Sequence, residues 1–184
     1  MKKVFIIHGF NSSPNSSWFT WLMAELKKLD IYGVSLPMPK HTEPNKEEWV
    51  EEINRQIKMS EPDDQIYLVG HCLGGATILN FLQKYGPNQV KGVVLVSTRY
   101  KKGENPKTNS FYENFNFEKI KERCDSFIVI HGDNDTLVPV EDAYILGKNL
   151  EVEPIIIENG GHLNGRAGYR ELPECLEALN SIMK

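Results

Sequence analysis

Val69-Gly70-His71-Cys72-Leu73-Gly74-Gly75 decides how this chain folds. Ahead of it runs Gln65-Ile66-Tyr67-Leu68-Val69, short and rich in strand-forming residues. Behind it, from Ala76 to Tyr85, apolar residues recur at helical spacing. A strand that ends in Gly-x-Cys-x-Gly and turns at once into a helix has the spacing of a nucleophile elbow, with sulfur where an oxygen is more usual. In such a turn the central residue takes a strained backbone conformation, and the residues two before and two after pass too close to tolerate a Cβ. Gly70 and Gly74 occupy those places. The plainer reading is a glycine-rich turn around a small buried thiol, and the rest of the chain decides between them.

Working outward, apolar runs alternate with helical patterns. Val4-Phe5-Ile6-Ile7 predicts a strand covered on both faces. A helix follows from Ser16 or Ser17 to Leu29, with Trp18, Trp21, Leu22, Leu26 and Leu29 on one face. Tyr32 to Leu36 is a second strand. Asn45 with Glu48 three residues on predicts a capped helix to about Ser60. After the elbow come a strand at Lys91–Ser97, a polar, aromatic-dotted loop over Thr98–Phe117 and a short helix at Glu118–Arg123. Strands at Ser126–His131 and Glu153–Glu158 alternate with helices at Val140–Leu150 and Leu172–Met183. Pro154 either demotes the start of the last strand or places it near an edge. This order predicts a three-layer α/β/α, doubly wound, mostly parallel sheet of about six strands in one domain spanning 1–184.

Composition narrows the function. Apolar residues make up 40% and charged ones 25%, as in ordinary globular domains. A formal net charge of −4 argues against nucleic-acid binding by general electrostatics. Three widely spaced cysteines, Cys72, Cys124 and Cys175, imply neither a disulfide framework nor a zinc site, and fit a reducing compartment. The short apolar run after Lys3 is no signal-peptide core, and no stretch reaches membrane-spanning length. The expected setting is therefore cytoplasmic, with no membrane association.

Parallel sheets bind ligands at the carboxyl ends of their strands. Those ends here carry His8-Gly9-Phe10, Cys72, the stretch His131-Gly132-Asp133-Asn134-Asp135, and Asn159-Gly160-Gly161-His162. Nucleophile, acid, histidine is also the chain order of an α/β-hydrolase triad. With these motifs in place, the chain resembles a small, lidless α/β-hydrolase, and most closely the retinoblastoma-binding protein 9 type of serine hydrolase. The resemblance covers nearly the whole length: His-Gly-Phe near the start, Gly-His-x-x-Gly-Gly at the elbow, His-Gly-x-x-Asp-x-x-Val-Pro, and a late Gly-His. By motif position it implies Cys72 as nucleophile, Asp135 as acid, His162 as base, and the backbone N–H groups of Phe10 and Leu73 as oxyanion donors. Cysteine in place of serine is the departure. Two origins are open for it: a native sulfur, as in the cysteine-using dienelactone hydrolases, or a replacement of serine.

The chemistry follows from residue type. Cys72 would attack an acyl carbonyl while His162 takes its proton and later protonates the leaving group. A thiol is activated by an adjacent imidazolium and by a helix amino end, and both are expected beside Cys72. Asp133 is the rival acid, expected instead to bond within its own turn. His8, His71 and His131 are expected to be structural, with His71 also shaping the pocket, and His41 to be a solvated loop residue. Cys124 and Cys175 lack the glycine context and are expected to be inert. Phe10, Trp18, Leu137 and Leu163 are expected to line the acyl pocket. No cofactor is implied, for there is no phosphate loop, and no metal, for there is no ligand cluster. The expected activity is hydrolysis of small acyl esters or thioesters. The alternative is an inactive interaction module of unknown protein partner; the Leu-x-Cys-x-Glu signature is absent, since Leu172-Pro173-Glu174-Cys175 carries an extra residue.

Overall fold

The computed structural model describes residues 1–85 and 90–184. Its strands are β1 (Lys2–Ile7), β2 (Tyr32–Leu36), β3 (Gln65–His71), β4 (Val90–Val96), β5 (Phe127–Gly132) and β6 (Ile155–Ile157). They form one sheet in the order β2-β1-β3-β4-β5-β6, and every pairing is parallel. The helices are α1 (Phe19–Lys28), α2 (Lys46–Lys58), α3 (Leu73–Lys84), α4 (Phe117–Lys121), α5 (Val140–Leu150) and α6 (Pro173–Ile182). From β1 the chain runs out to β2, then returns to lay β3 on the other side of β1. The strand order therefore reverses between β1 and β3, and the crevice above their carboxyl ends is where such a sheet accepts a ligand.

Strand alternation separates two cores. Phe5, Ile7, Leu68, Val93, Leu95 and Val129 face one side, packed with residues of α2, α3 and α5 such as Trp49, Leu79 and Leu146. Val4, Ile6, Val69, Val94, Val96 and Ile130 face the other, with Leu22 and Leu26 of α1 and Cys175 and Leu179 of α6. Burial on both faces is why the strands read as unbroken apolar runs rather than alternating ones.

Local chemistry sets the element ends, with several departures from the sequence reading. Asn45 caps α2 by accepting from the Glu48 N–H at 3.0 Å. The Glu48 carboxylate does not return the favour; it pairs with Lys40 at 2.8 Å. The first helix starts at Phe19, because Ser17 has φ 56° and Ser16 is tied to Ser13 in a turn. Leu29, expected on its apolar face, is half exposed. The elbow strand continues to His71, two residues past the expected Val69, while its helix opens at Leu73, with its amino end beside Cys72 as expected. The Thr98–Phe117 loop contains a 3-10 turn at Asn109–Tyr112, and α4 begins at Phe117. The last strand is three residues long and lies at the sheet edge, as Pro154 implied.

The tightest glycine is Gly74. A Cβ there would fall 2.0 Å from the Ile7 carbonyl oxygen, which β1 holds in place. We expect Gly74→Ala to lower stability by about 3–5 kcal/mol, seen as a fall in the urea midpoint. An unchanged midpoint would mean that β1 and α3 do not approach this closely.

Candidate active site

Cys72 sits between β3 and α3 at φ 53° and ψ −115°, a conformation costly for any residue with a side chain. The surroundings hold it there. Its N–H donates to the Val96 carbonyl at 2.9 Å. A Cβ on Gly70 would lie 2.5 Å from the Gly75 Cα, so the turn closes only with glycine. Gly9 passes over the elbow, where an added Cβ would come within 3.2 Å of the Cys72 Cβ. That approach brings Phe10 beside the thiol. Leu73 opens α3, so its N–H has no acceptor within the helix. Cys72, Phe10 and Leu73 line one cavity of about 830 Å³, together with His162.

The loop after β5 delivers the carboxylate. Asp135 Oδ1 accepts from the N–H groups of Leu137 at 2.8 Å and Val138 at 2.9 Å. Its Oδ2 accepts from His162 Nδ1 at 2.7 Å, and His131 Nε2 lies 3.4 Å from the same oxygen. Burial disfavours the charge of Asp135, but hydrogen bonds from His131 and His162 outweigh it and hold the carboxyl below the ordinary carboxylate range. The neighbouring residues bond outward: Asp133, expected to bond within its own turn, instead accepts from the Asn159 N–H at 2.8 Å, and Asn134 from the Gly161 N–H at 2.7 Å. Both bonds fasten the segment that carries His162.

His162 is itself buried. Burial alone would depress its pKa; the hydrogen bonds to Asp135 and Cys72, then the charges on both, raise it to about 10. Its carbonyl accepts from His71 Nε2 at 2.9 Å and from the Ser97 hydroxyl at 3.1 Å. Burial, and next the neighbouring His162, push His71 down to about 3, so His71 is neutral and serves as a fixed donor. Tyr112 also borders the cavity; burial, then the charge of Cys72, raise its phenol well above the ordinary value.

The other sequence expectations divide. Leu137 and Phe10 line the cavity, Leu137 on its exposed rim. Trp18 and Leu163 do not. Both are fully buried, with the Trp18 indole N–H donating to the Leu163 carbonyl at 2.8 Å and its ring edge-on to His71. They belong to the core behind His71: Ser16 and Ser17 still line the cavity, and the chain turns inward at Trp18 onto the side of the sheet that α1 and α6 cover. His8 is buried, accepting from the Met38 N–H at 3.3 Å, and His131 Nε2 donates to the Val138 carbonyl at 2.9 Å. His41 is exposed. Burial pushes the Cys124 thiol up to about 12 and raises Cys175 further. Among the described residues no cluster of ligating side chains is placed to hold a metal ion, and no helix is long and apolar enough to cross a membrane. Sequence reasoning missed Arg99, Tyr112, Arg166 and Arg170 on the cavity wall; the only signals were the length of the Thr98–Phe117 loop and two arginines soon after His162.

Comparison with known proteins adds to this geometry. The serine hydrolase family model matches residues 4–181. YdeN of Bacillus subtilis (strain 168) is 29% identical over 185 residues, covering 98% of this chain and 95% of its own. The crystal structure of the B. subtilis ydeN gene product superimposes with a TM-score of 0.91 at 28% identity, over 100% of this chain and 99% of that one. Est1E from Butyrivibrio proteoclasticus, bound to ferulic acid, shares the fold at a TM-score of 0.77 and 15% identity, over 100% and 88%. With a match that spans all four strand-end motifs and nearly all of the sheet, this chain belongs to the serine hydrolase family, a group of α/β-hydrolase fold.

Proposed function

We propose that the chain hydrolyses small carboxylic esters or thioesters through an acyl-thiol intermediate on Cys72. The observation that carries this reading is the 2.7 Å bond between His162 and Asp135 at the cavity that exposes Cys72. His162 holds the proton that the sulfur gives up, and Asp135 fixes the imidazole tautomer and supports its cation. The sulfur adds to the acyl carbonyl, and the N–H groups of Phe10 and Leu73 stabilise the oxyanion, each worth about 3–4 kcal/mol in comparable sites. His162 then protonates the departing alcohol or thiol, and water completes the cycle by the same route. The narrower kinship with the retinoblastoma-binding protein 9 type rests on the His-Gly-Phe and Gly-His-x-x-Gly-Gly motifs. The proposed setting is the cytoplasm, whose reducing poise keeps a free thiol available.

The test is rapid mixing with 4-nitrophenyl acetate and butyrate. We expect a burst of nitrophenol of one equivalent per chain, then steady turnover; absence of both would contradict the proposal.

The raised pKa of His162 sets the pH dependence. Its folded value of about 10 lies above the ordinary 6.5. The stabilisation from its protonated form is therefore complete below about 6.5 and is lost as pH rises through about 10. We expect acylation to fall on an alkaline limb near pH 10, and the urea midpoint to decline over the same interval. His162→Gln should flatten that decline. A limb near pH 6.5 would mean that Asp135 and Cys72 do not support the cation.

A further inference from the structure

Arg99, Arg166 and Arg170 all line the cavity that exposes Cys72, and among the described residues no aspartate or glutamate does. This runs against the chain as a whole, whose formal net charge is −4. Elsewhere on the surface Arg55 is paired with Glu52, Lys40 with Glu48 and Lys102 with Glu113. The exposed guanidiniums of Arg166 and Arg170 have no hydrogen-bond or ion-pair partner among the described residues. Arg170 is nonetheless placed, lying over Gly165 so closely that a Cβ there would meet its Nη1 at 2.7 Å. Arg99 is held by its bond to the Leu137 carbonyl and packs on Gly103, where an added Cβ would lie 2.8 Å from its Cζ. Its charge also reaches the Tyr112 phenol on the same wall. A guanidinium presents a planar fork of donors that fits a carboxylate or phosphate, and it is strongest where a cleft limits water.

We infer that the substrate carries an anionic group, a carboxylate or its like, outside the bond that is cleaved, and that these three arginines bind it. The inference rests on the ester-hydrolase reading of Cys72. Arg166 and Arg170 follow His162, the proton donor to the leaving group in the proposed reaction, by four and eight residues in the chain. Arg99 approaches from the end of β4, across the cavity wall formed by Leu137 and Tyr112. An anion on the leaving group and one on the acyl part are thus separate sources of the same chemistry, and substrates distinguish them.

The first arm needs no turnover. Cys72 is alkylated with iodoacetate and, separately, with iodoacetamide, in the native protein and in an Arg166→Gln/Arg170→Gln variant. We expect the iodoacetate-to-iodoacetamide rate ratio to fall about 10-fold in the variant, and in native protein at about 0.5 M salt. A Lys101→Gln/Lys102→Gln variant removes equal charge outside the cavity and should keep the native ratio. If both variants change the ratio alike, or neither does, the inference fails. The second arm compares kcat/KM for mono-4-nitrophenyl glutarate with its methyl ester, and for 4-acetoxybenzoate with its methyl ester. An advantage of about 10-fold for the anionic member of one pair, lost in the arginine variant, assigns the anion to the acyl or the leaving side. Equal rates within both pairs would overturn the inference while leaving the esterase intact. A protein that selects iodoacetate yet hydrolyses no ester would overturn the esterase reading, and with it the ester substrate, while leaving the arginines as an anion site.

Discussion

Cys72→Ala should lower kcat for 4-nitrophenyl butyrate by about 10⁵–10⁶-fold with the fold unchanged. The magnitude follows from what is removed. Without the sulfur no covalent intermediate forms, and the residual rate comes from the oxyanion donors and from binding alone. Alanine occupies the elbow as well as cysteine does, because the strained φ of 53° is imposed by Gly70, Gly74 and the bond to Val96, not by the side chain. The urea midpoint should therefore stay near the native one. Cys72→Ser should restore part of the hydrolysis that alanine loses, since a serine hydroxyl paired with a histidine can act as nucleophile at such an elbow. Turnover by the serine variant above that of the native chain would indicate a pocket tuned for oxygen. Alanine retaining more than about one hundredth of the native rate would remove Cys72 from the chemistry.

The second large effect is at the carboxylate. Asp135→Asn should cost about 10⁴ in kcat. An amide can still accept the Leu137 and Val138 N–H groups through its oxygen, so the turn survives. What it cannot supply is the negative charge that offsets the burial of His162 and the acceptor that fixes the Nδ1 proton. The alkaline limb should also move down from about pH 10, a shift that a merely structural role would not produce. Asp133→Asn is the control. Its side chain bonds the Asn159 N–H rather than the imidazole, so activity should remain within about threefold of native. A loss at 133 with retention at 135 would reverse the assignment.

The parts of this site that were legible in the sequence are those fixed by short-range sterics or by strand ends. Gly70 and Gly74 announce the elbow because no other residue closes a turn with backbone at 2.0–2.5 Å. Cys72, Asp135 and His162 converge because parallel strands share one rim, which apolar runs such as Val93–Val96 make plain before any coordinate is known. Depth was not legible. Trp18 and Leu163 are close in space but 145 residues apart, and whether they face the cavity or the core depends on how α1 and α6 settle on the sheet. The start of α1 is not legible for a related reason: Ser17 takes a left-handed conformation that serine does not advertise. Beyond their place soon after His162, nothing in the sequence marks Arg166 and Arg170, because a guanidinium that faces a cavity looks the same in sequence as one that faces bulk water. Tyr112 was hidden in a loop whose 3-10 turn carries no strong periodic signal.

The central claim is that the sulfur of Cys72 is the atom that takes the acyl group, within reach of His162. Acid-quenching the reaction with 4-nitrophenyl butyrate during the burst, digesting the protein and locating the added mass by fragmentation tests it most directly. The account predicts one butyryl group, on the peptide bearing Cys72, absent after Cys72→Ala and slow to accumulate after His162→Ala. A butyryl group found on Ser12, Ser16 or another residue while turnover proceeds, or turnover with no covalent adduct at any time, would contradict it.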